Sequence, residues 1–285
     1  MKKNFKRFLA FVLVMVMVFA YVPAGAFATE ADHVIDTAAE LVAAVEAGGE
    51  IVLGGSFALE APLTVNGTVA LDLNGHTLSY DSTVMGEAMI TNKGDLTISD
   101  SSEAKTGVIN YNYTGAADSS YGKGNYTISN GGKLTVNGGN ITIAYLRGHA
   151  KYPIDNNSTT GNAELIINGG RLYNYNTAAI RQFCNSETYK NSVTINGGLV
   201  EGYCAIWMQN PGKKTVHGSL TITGGEIRTT AAAYVDGTSE LKDVASRIYC
   251  TTEGGEWSGE SAVSITGGTI NENVYLTENA PADIT

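Results

Sequence analysis

Along most of the chain, apolar and polar residues alternate in short runs. Each run ends on Asn or Thr, then Gly, usually a second Gly, any residue, and another apolar residue. The pattern reads Leu71-Asp-Leu73-Asn74-Gly75-His76-Thr-Leu78, Leu134-Thr-Val136-Asn137-Gly138-Gly139-Asn-Ile141, Leu165-Ile-Ile167-Asn168-Gly169-Gly170-Arg-Leu172 and Val193-Thr-Ile195-Asn196-Gly197-Gly198-Leu-Val200. It continues in Leu220-Thr-Ile222-Thr223-Gly224-Gly225-Glu-Ile227 and Val263-Ser-Ile265-Thr266-Gly267-Gly268-Thr-Ile270, while Leu96-Thr-Ile98-Ser-Asp100 reaches Gly107-Val108-Ile109 only after an insertion. Alternation at period two is the mark of a strand with one buried face, and the Asn-Gly-Gly breaks it where the backbone turns through positive φ.

The Asn or Thr positions stand 31 residues apart from 137 to 168, 28 from 168 to 196, 27 from 196 to 223 and 43 from 223 to 266. These are the periods of a solenoid coil with inserted loops. Stacking equivalent residues predicts an interior ladder of Val136, Ile167, Ile195, Ile222 and Ile265. A second register agrees, with Ile90-Thr-Asn92-Lys-Gly94-Asp-Leu96 matching Ile128-Ser-Asn130-Gly-Gly132-Lys-Leu134. Asn-Gly is also the strongest hairpin signal, which would build an antiparallel sandwich. The strand after each Gly-Gly is short, however, and like residues recur at coil length. The expected fold is therefore all-β, a right-handed parallel β-helix over residues 50–285 that continues beyond them. Thr37-Ala-Ala-Glu40 forms a capping box ahead of Leu41, Val42, Ala44 and Val45, so a short helix within 29–49 is expected to cap the first coil.

Residues 1–28 read as a secretory signal peptide, with Lys2, Lys3, Lys6 and Arg7 before an apolar run and Ala26-Phe27-Ala28 as the cleavage site. Its removal takes four cations and no anion, moving the net charge from −10 to −14 and making nucleic acid and anionic membranes poor partners. No other stretch would insert in a membrane, and the expected location is secreted or at the cell surface. Gly, at 34 of 285 residues, is enriched over the usual composition and argues against a helical protein. Cys184, Cys204 and Cys250 have no metal-ligand spacing and read as buried small apolar residues rather than a disulfide framework.

The Asn-Gly-Gly repeat, the Leu71–Leu78 motif and the N-terminal helix resemble right-handed parallel β-helix proteins of the pectate-lyase-like superfamily, in particular secreted or cell-surface repeat proteins of Gram-positive bacteria. The resemblance covers about residues 34–276. It implies the fold and leaves the function open, since lyases, hydrolases, adhesins and inert stalks share it. Lyases of this kind use an acidic calcium cluster with an Arg or Lys base, and the hydrolases carry Asp-Asp and Gly-His-Gly motifs. Here Gly148-His149 is followed by Ala150 and Gly75-His76 by Thr77, so neither pattern is met.

Chemistry is densest in Arg147-Gly-His149-Ala-Lys151-Tyr152-Pro-Ile-Asp155, read as a loop between coils, where Arg147, His149, Lys151 and Asp155 are the catalytic candidates. Tyrosine is enriched at 15 of 24 aromatics, and Tyr145, Tyr152, Tyr173 and Tyr175 are the candidate ligand-binding residues, for sugar rings or a partner protein surface. Parity limits any single platform: with Leu172 inside, Tyr173 and Tyr175 face out, whereas Ile109 inside brings Tyr111 in too. Asn137, Asn168 and Asn196 read as corner residues that tolerate a left-handed turn and stack their amides along the axis. No cofactor or metal ligand set is expected. Asp100-Ser-Ser-Glu103 and Glu253-Gly-Gly-Glu256 are the places calcium would take, and they read as solvated loop tips. His33 and His217 have no partner in sequence. The expected function is a non-catalytic β-helix that binds glycans or surface partners, or displays other domains, with a polysaccharide-degrading enzyme and a structural spacer as the alternatives.

Overall fold

The computed structural model describes residues 33–115, 124–145, 151–175, 177–212, 215–230, 248–252, 255–259, 261–271, 274–276 and 282–284. Residues 1–28, expected to be a signal peptide, and Arg147, His149, Glu253 and the side chain of Cys250 lie outside the described residues. Each coil holds three strands, and like strands of successive coils pair in parallel throughout the described residues. The chain is a right-handed parallel β-helix, with the handedness that strand–crossover–strand connections take.

The first sheet contains Gly49–Leu53, Thr68–Asp72, Asp95–Ser99, Lys133–Val136, Ala163–Ile167, Lys190–Ile195, Thr215–Ile222 and Ala262–Ile265. The second runs from Phe57–Leu59 through Thr77–Ser82, Val108–Tyr113, Asn140–Tyr145, Arg171–Tyr173, Leu199–Gly202 and Glu226–Thr229 to Thr269–Ile270. The third runs from Leu63–Val65 through Ala88–Asn92, Asn125–Asn130, Lys151–Asn156, Ala178–Phe183, Cys204–Asn210 and Ile248–Thr252 to Val274–Leu276. The ladder Val136, Ile167, Ile195, Ile222 and Ile265 is in register as the spacing predicts, and all five are buried. Burial alternates strictly along Val108–Tyr113, which puts Tyr111 and Tyr113 inside with Ile109.

The two glycines of each turn answer different demands. A Cβ on Gly169 would stand 2.5 Å from the carbonyl oxygen of Asn137 in the coil before, and Gly170 carries φ of +78°. Positive φ therefore falls on the second glycine, and Asn137, Asn168 and Asn196 do not adopt it, whereas Asn74 does, with φ of 45°. The asparagines serve the stack instead. Asn168 Nδ2 donates to Asn137 Oδ1 and Asn196 Nδ2 to Asn168 Oδ1, each at 2.9 Å, and Thr223 Oγ1 donates to Asn196 Oδ1 at 2.7 Å. A second ladder lies inside the solenoid. Asn92 Nδ2 donates to Asn130 Oδ1 at 2.7 Å and Asn130 Nδ2 to Asn156 Oδ1 at 2.8 Å. The Nδ2 groups of Asn92, Asn130 and Asn156 also donate to the carbonyls of Lys133, Glu164 and Ser192 respectively, at the turn into the first sheet.

Helix Ala38–Ala47 begins with the predicted capping box: Glu40 N donates to Thr37 Oγ1 at 3.3 Å and Thr37 N to Glu40 Oε2 at 3.1 Å. It buries Leu41, Ala44 and Val45 and packs on the three strands of the first coil. A β-helix end otherwise exposes its core, so this contact closes it. Cys184 and Cys204 are buried and neither is in a disulfide.

Candidate functional site: the outer faces of the second and third sheets

The segment read as the loop Arg147–Asp155 is, from Lys151 on, a strand of the third sheet, buried at every position. This separates Lys151 from Asp155, which it was expected to bring together. Lys151 turns into the solenoid, where Nζ contacts Asn125 Oδ1 and lies 4.1 Å from the centroid of the Tyr113 ring. Tyr152 and Asp155 face outward and meet residues of the neighbouring coils. Asp155 is in register with Arg181, and Arg181 with Trp207, while Tyr126 is in register with Tyr152.

The Arg181 guanidinium donates from Nε to Asp155 Oδ1 at 2.6 Å and from an NH2 group to the Tyr126 hydroxyl at 2.8 Å. Its carbon sits 5.3, 4.9 and 4.6 Å from the ring centroids of Tyr126, Tyr152 and Phe183. The side chains of Arg181 and Asp155 are only 8% and 2% exposed, so this is a closed, aromatic-walled ion pair rather than an open groove. Burial works against the Arg181 charge, but Asp155 beside it reverses the balance and raises its pKa. Burial, with help from the Asp155 charge, pushes the Tyr126 hydroxyl up to about 12.

The second sheet presents an open face. Arg171, Tyr173, Glu201, Glu226 and Arg228 occupy neighbouring positions on three successive coils, one residue before or after the buried ladder Leu172, Val200 and Ile227. Arg171 donates to Glu201 Oε2 at 3.2 and 2.7 Å, and the Arg228 Nε lies 3.3 Å from Glu201 Oε1. The Arg171 guanidinium covers one face of Tyr173, 4.2 Å from its centroid. The two arginines remain 40% and 39% exposed, and Tyr175, two residues on, is 49% exposed. Hydrogen bonding to Glu201, followed by its charge, raises the pKa of Arg228.

Beside this patch, at the corner between the first and second sheets, is a hollow of about 390 Å³ lined by Asp100, Lys105, Asn137, Asn140 and Arg171. Tyr145 does not join the patch: it is half-buried against the core, with its hydroxyl 3.5 Å from Asn174 Oδ1. The four candidate tyrosines thus fall into three environments, Tyr152 under cover, Tyr145 at the core edge, and Tyr173 with Tyr175 outside.

Asp100 holds its own loop. Its carboxylate accepts from Gly75 N, Ser102 N, Ser102 Oγ and Gly107 N at 2.7–3.2 Å. Burial alone would raise its pKa, but these donors together lower it. Among the described residues, no three His, Cys, Asp or Glu side chains gather as a metal ligand set. His217 does acquire a partner through the fold: Ser258 Oγ lies 2.8 Å from Nδ1 and the Glu187 carbonyl 3.1 Å from Nε2. The Ser258 N–H is bonded to the Val216 carbonyl, which makes the pair a clasp on the strand Thr215–Ile222.

Arg171, Arg181, Glu201, Trp207 and Arg228 escaped the sequence reading. Their signal is positional: once the coils are aligned, Asp155 and Arg181 share one place in successive coils, and Tyr173, Glu201 and Arg228 share another. No known family, curated protein or solved structure matches the chain.

Proposed function

We propose that this protein is a secreted or cell-surface, non-catalytic β-helix of the pectate-lyase-like, Gram-positive kind that binds carbohydrate or a partner surface along the outer face of its second sheet. One observation carries the reading. Arg171, Tyr173, Glu201 and Arg228 form a fixed, solvent-open patch next to a polar hollow, with Tyr175 exposed at its edge. Exposed aromatic rings offer flat apolar area to sugar rings, and guanidinium groups offer paired donors to hydroxyls or carboxylates. Acid-base cleavage of a glycosidic bond needs two carboxyl groups facing one substrate across about 5 to 9 Å. On this face both oxygens of Glu201 are engaged by arginines.

A polysaccharide-cleaving enzyme is the second reading, favoured by the convergence of Asp155 and Arg181. Binding of the exported chain to a panel of neutral and acidic glycans, with calcium and with chelator, separates the two when product release is followed in the same wells. Saturable binding without product supports the proposal, and turnover replaces it with the enzyme. Silence across the panel leaves the partner-surface form of the proposal, which a patch variant must then test against surface proteins. Export with cleavage after Ala28 belongs to the same reading and predicts a mature chain beginning at Thr29.

A further inference from the structure

Between the second and third sheets the interior carries a line of polar groups that no part of the proposed binding face uses. Asn125 and Lys151 occupy facing positions on adjacent parallel strands of the third sheet. Both are buried, and the Lys151 Nζ contacts the Asn125 Oδ1, one bond from the carbonyl carbon Cγ. The Tyr113 ring lies against Nζ. The other side of the amide is fixed as well: Asn125 Nδ2 points at the Val84 carbonyl at 2.8 Å, the Glu87 carbonyl at 3.3 Å and the Tyr111 hydroxyl at 2.8 Å. The carbonyl of Asn125 is thereby held toward the lysine, and its nitrogen sits among three acceptors.

We propose that Lys151 and Asn125 are joined by an intramolecular amide bond, a side-chain cross-link between successive coils. The unprotonated Nζ attacks Cγ with its lone pair, the carbonyl electrons move to Oδ1, and their return breaks the Cγ–Nδ2 bond. One N–H proton passes from Nζ to Nδ2, which leaves as ammonia, and no oxidant or reductant is consumed. Counted from the lysine ammonium, the extra proton leaves with the ammonia as ammonium ion, so the balance closes. The Tyr111 hydroxyl accepts from Nδ2 and so fixes the amide's orientation, while the proton that completes the ammonia is the one released by Nζ. Burial pushes that hydroxyl up to about 12, so it stays protonated and neutral beside the amide. The driving force is electrostatic. A cation taken out of water is costly even when hydrogen-bonded, and the amide puts a neutral group in its place. Close, oriented confinement of the two groups supplies the rate.

Mass spectrometry of the intact purified chain and of its tryptic peptides tests this. The expected result is a chain lighter than its sequence by one ammonia, with trypsin failing to cut after Lys151 and a branched peptide joining the Asn125 and Lys151 segments. Lys151→Arg should restore the full mass. Asn125→Asp should change the deficit from one ammonia to one water at the same branch point, because the leaving group becomes water. A wild-type chain of full mass, cut normally after Lys151 once denatured, overturns the proposal. So does an ammonia deficit that maps elsewhere, such as a succinimide at one of the Asn-Gly turns. The wild-type measurement decides the matter even if a variant fails to fold.

Discussion

A guanidinium enclosed by three aromatic rings and one carboxylate tolerates burial only while the carboxylate keeps its charge. Removing one partner of such a pair leaves the other uncompensated, which typically costs about 3–5 kcal/mol. Asp155→Asn is therefore expected to lower the urea midpoint of unfolding strongly at unchanged slope. Arg171→Ala, which breaks a half-exposed pair, should cost about 1 kcal/mol or less. Comparable losses in the two variants would mean that the third-sheet cluster is solvated and that its closed description is wrong. Arg181 itself sits where a solvent-facing residue would stand in an ordinary antiparallel sheet, and side chains of the neighbouring coils cover that outward position.

At the scale of the strand and turn, the two asparagine ladders look alike and should behave differently. Asn130 is buried and links Asn92, Asn156 and the Glu164 carbonyl, so Asn130→Ala strands several groups away from water, at a cost of about 1–3 kcal/mol for each one left unsatisfied. Asn168 sits in the exposed ladder, where water replaces the missing amide, and Asn168→Ala should shift the unfolding midpoint far less. Equal shifts would argue that the inner ladder is hydrated.

The same distinction explains what was legible in the sequence. The first sheet and its turns were legible because alternation, the Gly-Gly pair and the coil period coincide there, which fixed the Val136–Ile265 ladder residue by residue. The third sheet was not. Lys151–Asn156 and Cys204–Asn210 are buried on both faces, so they lose the alternation that marks a strand, and their polar residues imitate a loop. Lys151 and Asp155 are legible as chemistry, but four residues apart on a regular strand they would share a face, and their opposite directions come from this strand's departure from alternation. Tyr173 and Tyr175 were placed outside by parity from Leu172, whereas their partners Arg171, Glu201 and Arg228 needed the alignment of three coils. The inner ladder was missed for the same reason, although Asn92 and Asn130 had already appeared at matching places in the second register.

Taken as a whole, the molecule buries hydroxyl and thiol protons that an unfolded chain would release at high pH. Burial pushes Tyr111, Tyr126 and Cys184 each up to about 12, from ordinary values of 10.0, 10.0 and 9.0. Above those ordinary values the unfolded chain binds fewer protons than the folded one, so stability falls as pH rises, from about pH 9 to about pH 12, and does not change through these groups below that window. Urea midpoints measured across it should decline steadily, and Tyr126→Phe should flatten part of the decline. An unchanged midpoint up to the top of the window would show these side chains exposed to solvent.

The open second-sheet face stands outside this sealed interior, and function is assigned to it alone. The measurement that bears most directly on that assignment is a binding titration of the purified chain with the best ligand from the glycan panel, or with a captured surface partner. It compares the wild type with Tyr173→Ala, with Arg171→Ala, and with Thr64→Ala on an exposed position of the first coil. Loss of affinity by about tenfold or more in the two patch variants, a difference of ~1.4 kcal/mol, with the Thr64 variant unchanged, is the predicted result. Full affinity in both patch variants, with all the chains folded, would contradict the placement of the binding face.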